Sequence, residues 1–100
     1  GVGGTVAERI GRKIRDVADH HQVLCITHLA PIAAFADVHF AVSKHERDGR
    51  TVTVVRKLDE KARIIELARM LGGPAEPSSV LTAATRKAAE EMIRASRAPG

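Results

Sequence analysis

The sequence predicts an incomplete α/β fold in which a helix, a strand, a helix, two strands and two helices follow one another. Three observations support this order. Apolar residues recur with helical spacing from Thr5 to His20, a continuous apolar run occupies residues 23–26, and two β-rich segments flank Asp48-Gly49. Three strands are too few for a complete sheet of this class, so we expect the chain to be part of a larger fold.

The first helix is predicted from Thr5 to His20. Thr5 followed three residues later by Glu8 is typical of a capping box, in which the threonine hydroxyl accepts a hydrogen bond from a backbone N–H of the first turn. The apolar positions form a single stripe along the helix: Val6, Ile10, Ile14, Val17 and Ala18. We expect this stripe to face a core.

The apolar run Val23-Leu24-Cys25-Ile26 predicts a strand buried on both faces of a parallel sheet. Cys25 lies inside this run and is therefore expected to be a packed thiol. As the single cysteine it forms no internal disulfide, which fits a reducing, cytoplasmic compartment. A short helix is predicted from Pro31 to Phe35, because proline is tolerated in a first helical turn.

A β-hairpin is predicted next. Apolar and polar residues alternate from Val38 to Val42, residues 45–50 form a turn around Asp48-Gly49, and the β-rich segment Thr51–Leu58 follows. The pattern places the two strands side by side.

Two helices are predicted to complete the chain, over residues 59–95. Asp59 is expected to cap the first, and Gly72-Gly73-Pro74 to end it before a linker at 74–79. The second is expected from Ser79 to Ala95. The expected apolar positions are Ala62, Ile65, Leu67, Ala68 and Leu71 in the first helix, and Leu81, Ala84, Ala88, Met92 and Ala95 in the second.

Composition limits both stability and partners. The chain has no Trp or Tyr and two Phe, so small aliphatic side chains must supply the core, and an isolated fold of this size is expected to be marginal. The net charge of +4 permits contact with a polyanion, although a solvated basic surface explains it as simply. No apolar run approaches the roughly 20 residues that span a bilayer, so no membrane partner is expected.

His28 follows the predicted buried strand directly, and open α/β sheets bind ligands at the carboxyl ends of their strands. A neutral imidazole at that place can donate one N–H to a phosphate oxygen. From the residues alone, a packing or capping role for His28 is the simpler interpretation.

Three segments resemble the RecN family of SMC-like DNA-repair ATPases, and they occur along the chain in the same order as in that family. Residues 23–37, with Cys-Ile-Thr-His-Leu and then an alanine-rich stretch ending in Ala36-Asp37, are similar to the family's switch-histidine segment. Gly1-Val2-Gly3-Gly4 resembles the end of its D-loop, and residues 66–73 resemble a segment near its C-terminus. Ala30-Pro31 departs from the family, which often carries a Gln two residues after His-Leu, so no role for that Gln is carried over.

The resemblance implies that the chain is the C-terminal lobe, residues 1–100, of an ABC/SMC-type P-loop ATPase head acting in double-strand-break repair and recombination. His28 would be the catalytic switch histidine that contacts the γ-phosphate of ATP, and Gly1 and Gly3 would lie at the nucleotide and the head–head interface. The implied cofactors are ATP and Mg²⁺. The implied partners are the rest of the head, a second head in a homodimer, and DNA, in the cytoplasm at the nucleoid.

Activity of the isolated chain is not expected. Phosphoryl transfer needs a phosphate-binding lysine and groups that hold Mg²⁺, and the sequence contains no Walker A, Walker B or signature motif. Position 1 is Gly rather than Met, so we expect the chain to come from a longer protein.

A metal site and a second class of function are the alternatives to this interpretation. The five histidines are not spaced as converging metal ligands, and no metal site is expected. The rival function is a small stand-alone basic module that binds nucleic acid or an acidic protein.

Overall fold

The computed structural model describes residues 5–72 and 82–98. Within these residues the chain is α/β, with one two-stranded antiparallel sheet and four helices. The elements in chain order are α1 (Val6–Ala18), α2 (Ala30–Ala33), β1 (Phe40–Arg47), β2 (Arg50–Lys57), α3 (Glu60–Gly72) and α4 (Ala83–Ser96).

Helix α1 begins as predicted, because Thr5 is its N-cap and the threonine Oγ1 accepts a hydrogen bond from the Glu8 N–H at 3.1 Å. The expected burial of its apolar stripe is wrong. Val6 and Val17 are 66% and 52% exposed, and the buried position of the helix is Gly11. The α1 face that packs is therefore centred on a glycine, and three of the five stripe residues, Val6, Ile10 and Val17, are exposed.

The predicted strand at residues 23–26 does not form. Residues 22–27 carry no regular secondary structure, and β1 pairs only with β2 in the sheet of the described residues. A strand is stable only with a hydrogen-bonded neighbour, and within residues 5–72 and 82–98 no strand pairs with this segment. Its side chains are exposed rather than buried.

The hairpin is confirmed, but its turn is shorter than the predicted 45–50, because residues 45–47 and Arg50 belong to the strands. The connecting residues Asp48 and Gly49 both have positive φ (53° and 73°), the combination of a type I′ turn, whose twist matches that of paired strands. The register runs from Phe40 opposite Lys57 to Arg47 opposite Arg50. Strand β1 begins two residues later than the predicted alternation, and at the base of the hairpin the Leu58 N–H donates to the His39 carbonyl at 2.9 Å.

Helices α3 and α4 pack against each other and against α2. The Ala62 N–H donates to Asp59 Oδ1 at 2.8 Å, so Asp59 caps α3 as predicted, and α3 ends at Gly72. A Thr82–Thr85 capping box starts α4 at Ala83, four residues after the predicted start. The predicted linker at 74–79 and Leu81 lie outside the described residues.

The buried faces of these helices match the predicted stripes only in part, since Leu67 and Ala68 are buried as predicted. Ile65 and Leu71 are exposed, and α4 is buried one position beyond the predicted Ala88, Met92 and Ala95. The core contains mainly small residues: Ala30, Ala33, Ala34, Leu67, Ala68, Ala89 and Ile93. Close helix approach over alanines, rather than large side chains, holds this core together.

Candidate functional site

The segment between α1 and α2 presents apolar side chains to solvent. Leu24 is 87% exposed and Ile26 is 95% exposed. Cys25 between them is a free, exposed thiol, so its predicted packing is wrong. A fully exposed Leu or Ile forgoes about 1.5–3 kcal/mol of burial free energy, which makes this run unusual for a surface segment.

His28 lies on an exposed bend between this segment and α2. The bend is held by Thr27, whose Oγ1 accepts a hydrogen bond from the Leu29 N–H at 3.0 Å. Leu29 in turn is the N-cap of α2. The imidazole is therefore accessible to a ligand, but the strand end at which it was predicted to sit is not formed.

Arg63 of α3 anchors the chain that follows α2. Its side chain is buried, and Nη2 donates to three backbone carbonyls, those of Ala33 (3.3 Å), Ala34 (2.9 Å) and Ala36 (2.6 Å). A cation at a helix C-terminus satisfies carbonyls that the helix itself leaves unpaired. Burial is the main cause that lowers the pKa of Arg63.

Helix α1 holds the same stretch from the other side. Arg15 Nη1 donates to the Phe35 carbonyl at 2.8 Å and lies 3.2 Å from Asp37 Oδ1. The guanidinium carbon of Arg12 is 5.2 Å from the centroid of the Phe35 ring, within cation–π range. Residues 33–37 are thus fixed by α1 and α3 together.

His39 lies half-buried where this stretch enters the hairpin. Its Nδ1 is buried without a hydrogen-bond partner among the described residues. Burial and then the positive charge of Arg63 lower its pKa below 6.5, and Glu66 opposes them. The histidine is therefore held neutral near neutral pH, beside the arginine that anchors α2.

These anchoring residues were not predicted from the sequence. Arg63 falls four residues before Leu67, on the face of α3 that is buried, and a charge at such a position is the signal that could have identified it. Gly11 gave no comparable signal, because a glycine within a helix is compatible with many packing environments.

The remaining predictions concern the N-terminal glycines, a metal site and membrane-spanning helices. Gly1 and Gly3, expected at the nucleotide and the head interface, lie outside the described residues. Within residues 5–72 and 82–98, no group of three or more His, Cys, Asp or Glu side chains is placed to hold a metal ion. No helix in that part of the chain is long and apolar enough to cross a bilayer.

Comparison with known proteins gives one consistent result. The chain is 48% identical to DNA repair protein RecN of Xylella fastidiosa (strain Temecula1) over 73 residues, 40% identical to that of Bacillus subtilis (strain 168) over 94, and 43% identical to that of Mycobacterium leprae (strain TN) over 97. These matches cover 73%, 94% and 97% of the chain. No protein-family model matches it.

The chain spans only 13–16% of the length of these relatives. Identity of 40–48% over most of a chain reflects common descent. The chain therefore belongs to the RecN family of DNA repair proteins, of which it represents one segment.

Proposed function

We propose that the chain is the C-terminal lobe of an SMC-like, ABC-type ATPase head that acts in DNA double-strand-break repair and recombination. One observation carries the proposal: residues 22–27 have no regular secondary structure, and their most apolar side chains, Leu24 and Ile26, are almost fully in solvent. We infer that this segment is a strand whose neighbours belong to the rest of the head.

The ends of the segment support strand addition. Helix α1 precedes it and α2 follows it, and the two helices are joined through Phe35 and Arg15, so the segment leaves and re-enters one packed unit. Adding the segment to a sheet would pair its backbone N–H and C=O groups and bury Leu24 and Ile26. Residues 23–26, whose sequence predicts a strand buried on both faces, would then be buried on both faces.

His28 acquires its proposed role from the same docking. With residues 23–26 in a parallel sheet, His28 lies just past the carboxyl end of a strand, where α/β sheets bind ligands. Its imidazole is exposed and would donate one N–H to a γ-phosphate oxygen of ATP. The phosphate loop and the Mg²⁺ ligands would come from the remainder of the head, and Gly1 and Gly3 from the D-loop at a head–head interface.

The proposal assigns ATP hydrolysis to the full-length protein, in a cytoplasmic, nucleoid-associated dimer that binds DNA. The 100-residue chain alone is expected to bind no ATP in calorimetry with Mg²⁺, because no phosphate-binding loop is present. Micromolar affinity, or a sharp cooperative melt of the isolated chain, would instead favour the stand-alone basic module.

The decisive experiment is His28→Ala in the full-length protein. A donor aimed at charge that develops in the transition state typically contributes about 10²–10³ in rate, so kcat should fall far more than ATP affinity or Tm. His21→Ala is the matched control, because His21 is also exposed but precedes residues 22–27. A His28→Ala protein with normal kcat and lowered Tm would refute the switch assignment.

A further inference from the structure

The β1–β2 hairpin is exposed on both faces and carries most of the net charge of the chain. Every hairpin residue except Ala41 is exposed. Residues 40–57 contain five Lys or Arg and two carboxylates, which gives a net charge of +3 (five minus two). The net charge of all 100 residues is +4. A concentration of positive charge on one projecting element is a feature of surfaces that bind polyanions.

The strand register divides these charges between two faces. Residues directly opposite each other in an antiparallel pair share a face, so Arg47 lies with Arg50, and Ala41 with Arg56. The basic face, as we name it, comprises Ala41, Ser43, His45, Arg47, Arg50, Val52, Val54 and Arg56. A 3.0 Å hydrogen bond between Ser43 Oγ and His45 Nε2 runs along it.

The basic face has three arginines and no carboxylate. Glu46 belongs to the opposite face, with Lys44, Lys57 and the exposed apolar residues Phe40, Val42 and Val55, and Asp48 lies in the turn. Within residues 5–72 and 82–98, none of the three arginines takes part in an ion pair. Among the described residues, no ion pair therefore compensates their charges.

We propose that the basic face contacts the phosphate backbone of duplex DNA. Arg56 is six residues from Arg50, about 20 Å along an extended strand, so the face spans several phosphates rather than one. A two-stranded ribbon also fits the roughly 12 Å width of a DNA major groove. This inference rests on the proposed function, which requires DNA as a partner, and adds the surface that meets it.

Phosphate contact differs from protein contact in what it requires of the side chain. Non-specific DNA binding depends on the number of positive charges, so lysine can replace arginine. A protein interface that pairs arginine with carboxylates in a bidentate manner does not tolerate that exchange. The comparison of alanine and lysine variants separates the two partners.

The test uses the full-length protein and a fluorescent duplex of mixed sequence, with the DNA Kd measured from 50 to 200 mM salt. The triple variant Arg47→Ala/Arg50→Ala/Arg56→Ala should lower the slope of log K against log salt by roughly 2–3, because each phosphate contact contributes about 0.9. The DNA Kd should rise by about tenfold or more. The triple Arg→Lys variant should retain the wild-type slope.

The control is Lys61→Ala/Arg86→Ala/Lys87→Ala, which removes the same charge from exposed positions of α3 and α4. An equal effect of both alanine triples, or an unchanged slope in the hairpin triple, would overturn the inference. So would a hairpin variant with wild-type DNA affinity and a lowered Tm, the result expected of an intramolecular protein contact. Absence of ATP hydrolysis in a wild-type protein whose DNA binding depends on the hairpin would refute the proposed ATPase function alone.

Discussion

The ring of Phe35 lies directly against Gly11, so closely that a Cβ atom built at position 11 would be 2.4 Å from Cδ2 of the ring. A glycine within a helix costs about 1 kcal/mol relative to alanine. The close approach offsets that cost, because only a glycine at position 11 leaves room for the Phe35 ring, which is buried and joins α1 to the turn after α2. The two helices that flank the candidate site are positioned through this contact.

Gly11→Ala should destabilise the packing of α1 on Phe35. Alanine contributes about 0.8–1.0 kcal/mol of helix propensity, but the added methyl must displace a buried ring, and such overpacking costs about 1–3 kcal/mol. The difference is a net loss of up to about 2 kcal/mol, and we expect faster amide exchange across residues 6–18 of the full-length protein. In a Phe35→Leu background the same substitution should be neutral or stabilising, and slower exchange in the single variant would contradict the contact.

Arg63→Met should loosen the chain after α2. The substitution keeps an apolar stem but removes the donor to three carbonyls. The Ala33 carbonyl still accepts from the Ala36 N–H, so those of Ala34 and Ala36 lose this partner, and each buried group left unsatisfied costs about 1–3 kcal/mol. Losing the unpaired Arg63 Nε offsets part of this, so we expect about 2–4 kcal/mol and faster exchange at residues 33–37. Arg69→Met is the control, since Arg69 is exposed and its one ion pair among the described residues is with Glu66, so the substitution should cost under about 1 kcal/mol. Equal effects would argue against the anchoring role.

Acidification should destabilise the protein through His39. Its pKa is lowered in the folded state, mainly by burial and then by Arg63, so the unfolded chain binds the proton more readily. The contribution of neutral His39 to the free energy of unfolding is fully present above pH 6.5. It is lost as the pH falls through the lowered pKa of the folded state. Tm should therefore fall more between pH 7 and 5 in the wild type than in His39→Gln, and parallel profiles would remove His39 as the cause.

The paired substitution Leu24→Lys/Ile26→Lys should have different effects in two contexts. Both side chains are exposed in the 100-residue chain, so its stability should change by no more than about 0.5 kcal/mol. In the full-length protein the same lysines would enter a sheet interior, where an unpaired charge is costly, and soluble ATPase yield and Tm should both drop. An equally small effect in both contexts would exclude strand addition by residues 23–26.

Local signals in the sequence were sufficient for the caps, the turn and the hairpin. Thr5 and Asp59 cap their helices through hydrogen bonds to N–H groups three residues away, and Asp48-Gly49 adopts the positive φ angles that a two-residue hairpin turn needs. These interactions involve neighbours in the chain, so residue type and spacing are enough to predict them.

The buried faces could not be predicted in the same way. The apolar stripe of α1 is exposed, while Gly11 and Arg63 are buried, because packing depends on which surface a distant element presents. Residues 23–26 illustrate the limit most clearly. Their apolar pattern specifies a buried strand, but pairing requires a neighbouring strand, and in the described residues the run remains exposed.

The sequence by itself determined the family, the order of most elements and the position of His28 before α2, since each depends on residue identity along the chain. Only the tertiary structure decided which residues anchor that segment. Arg63, Arg15 and Gly11 are separated from the residues they contact by about 20 or more positions. Hydrogen-bond geometry and close packing across such distances arise only when the folded chain brings these groups together, and no local pattern encodes them.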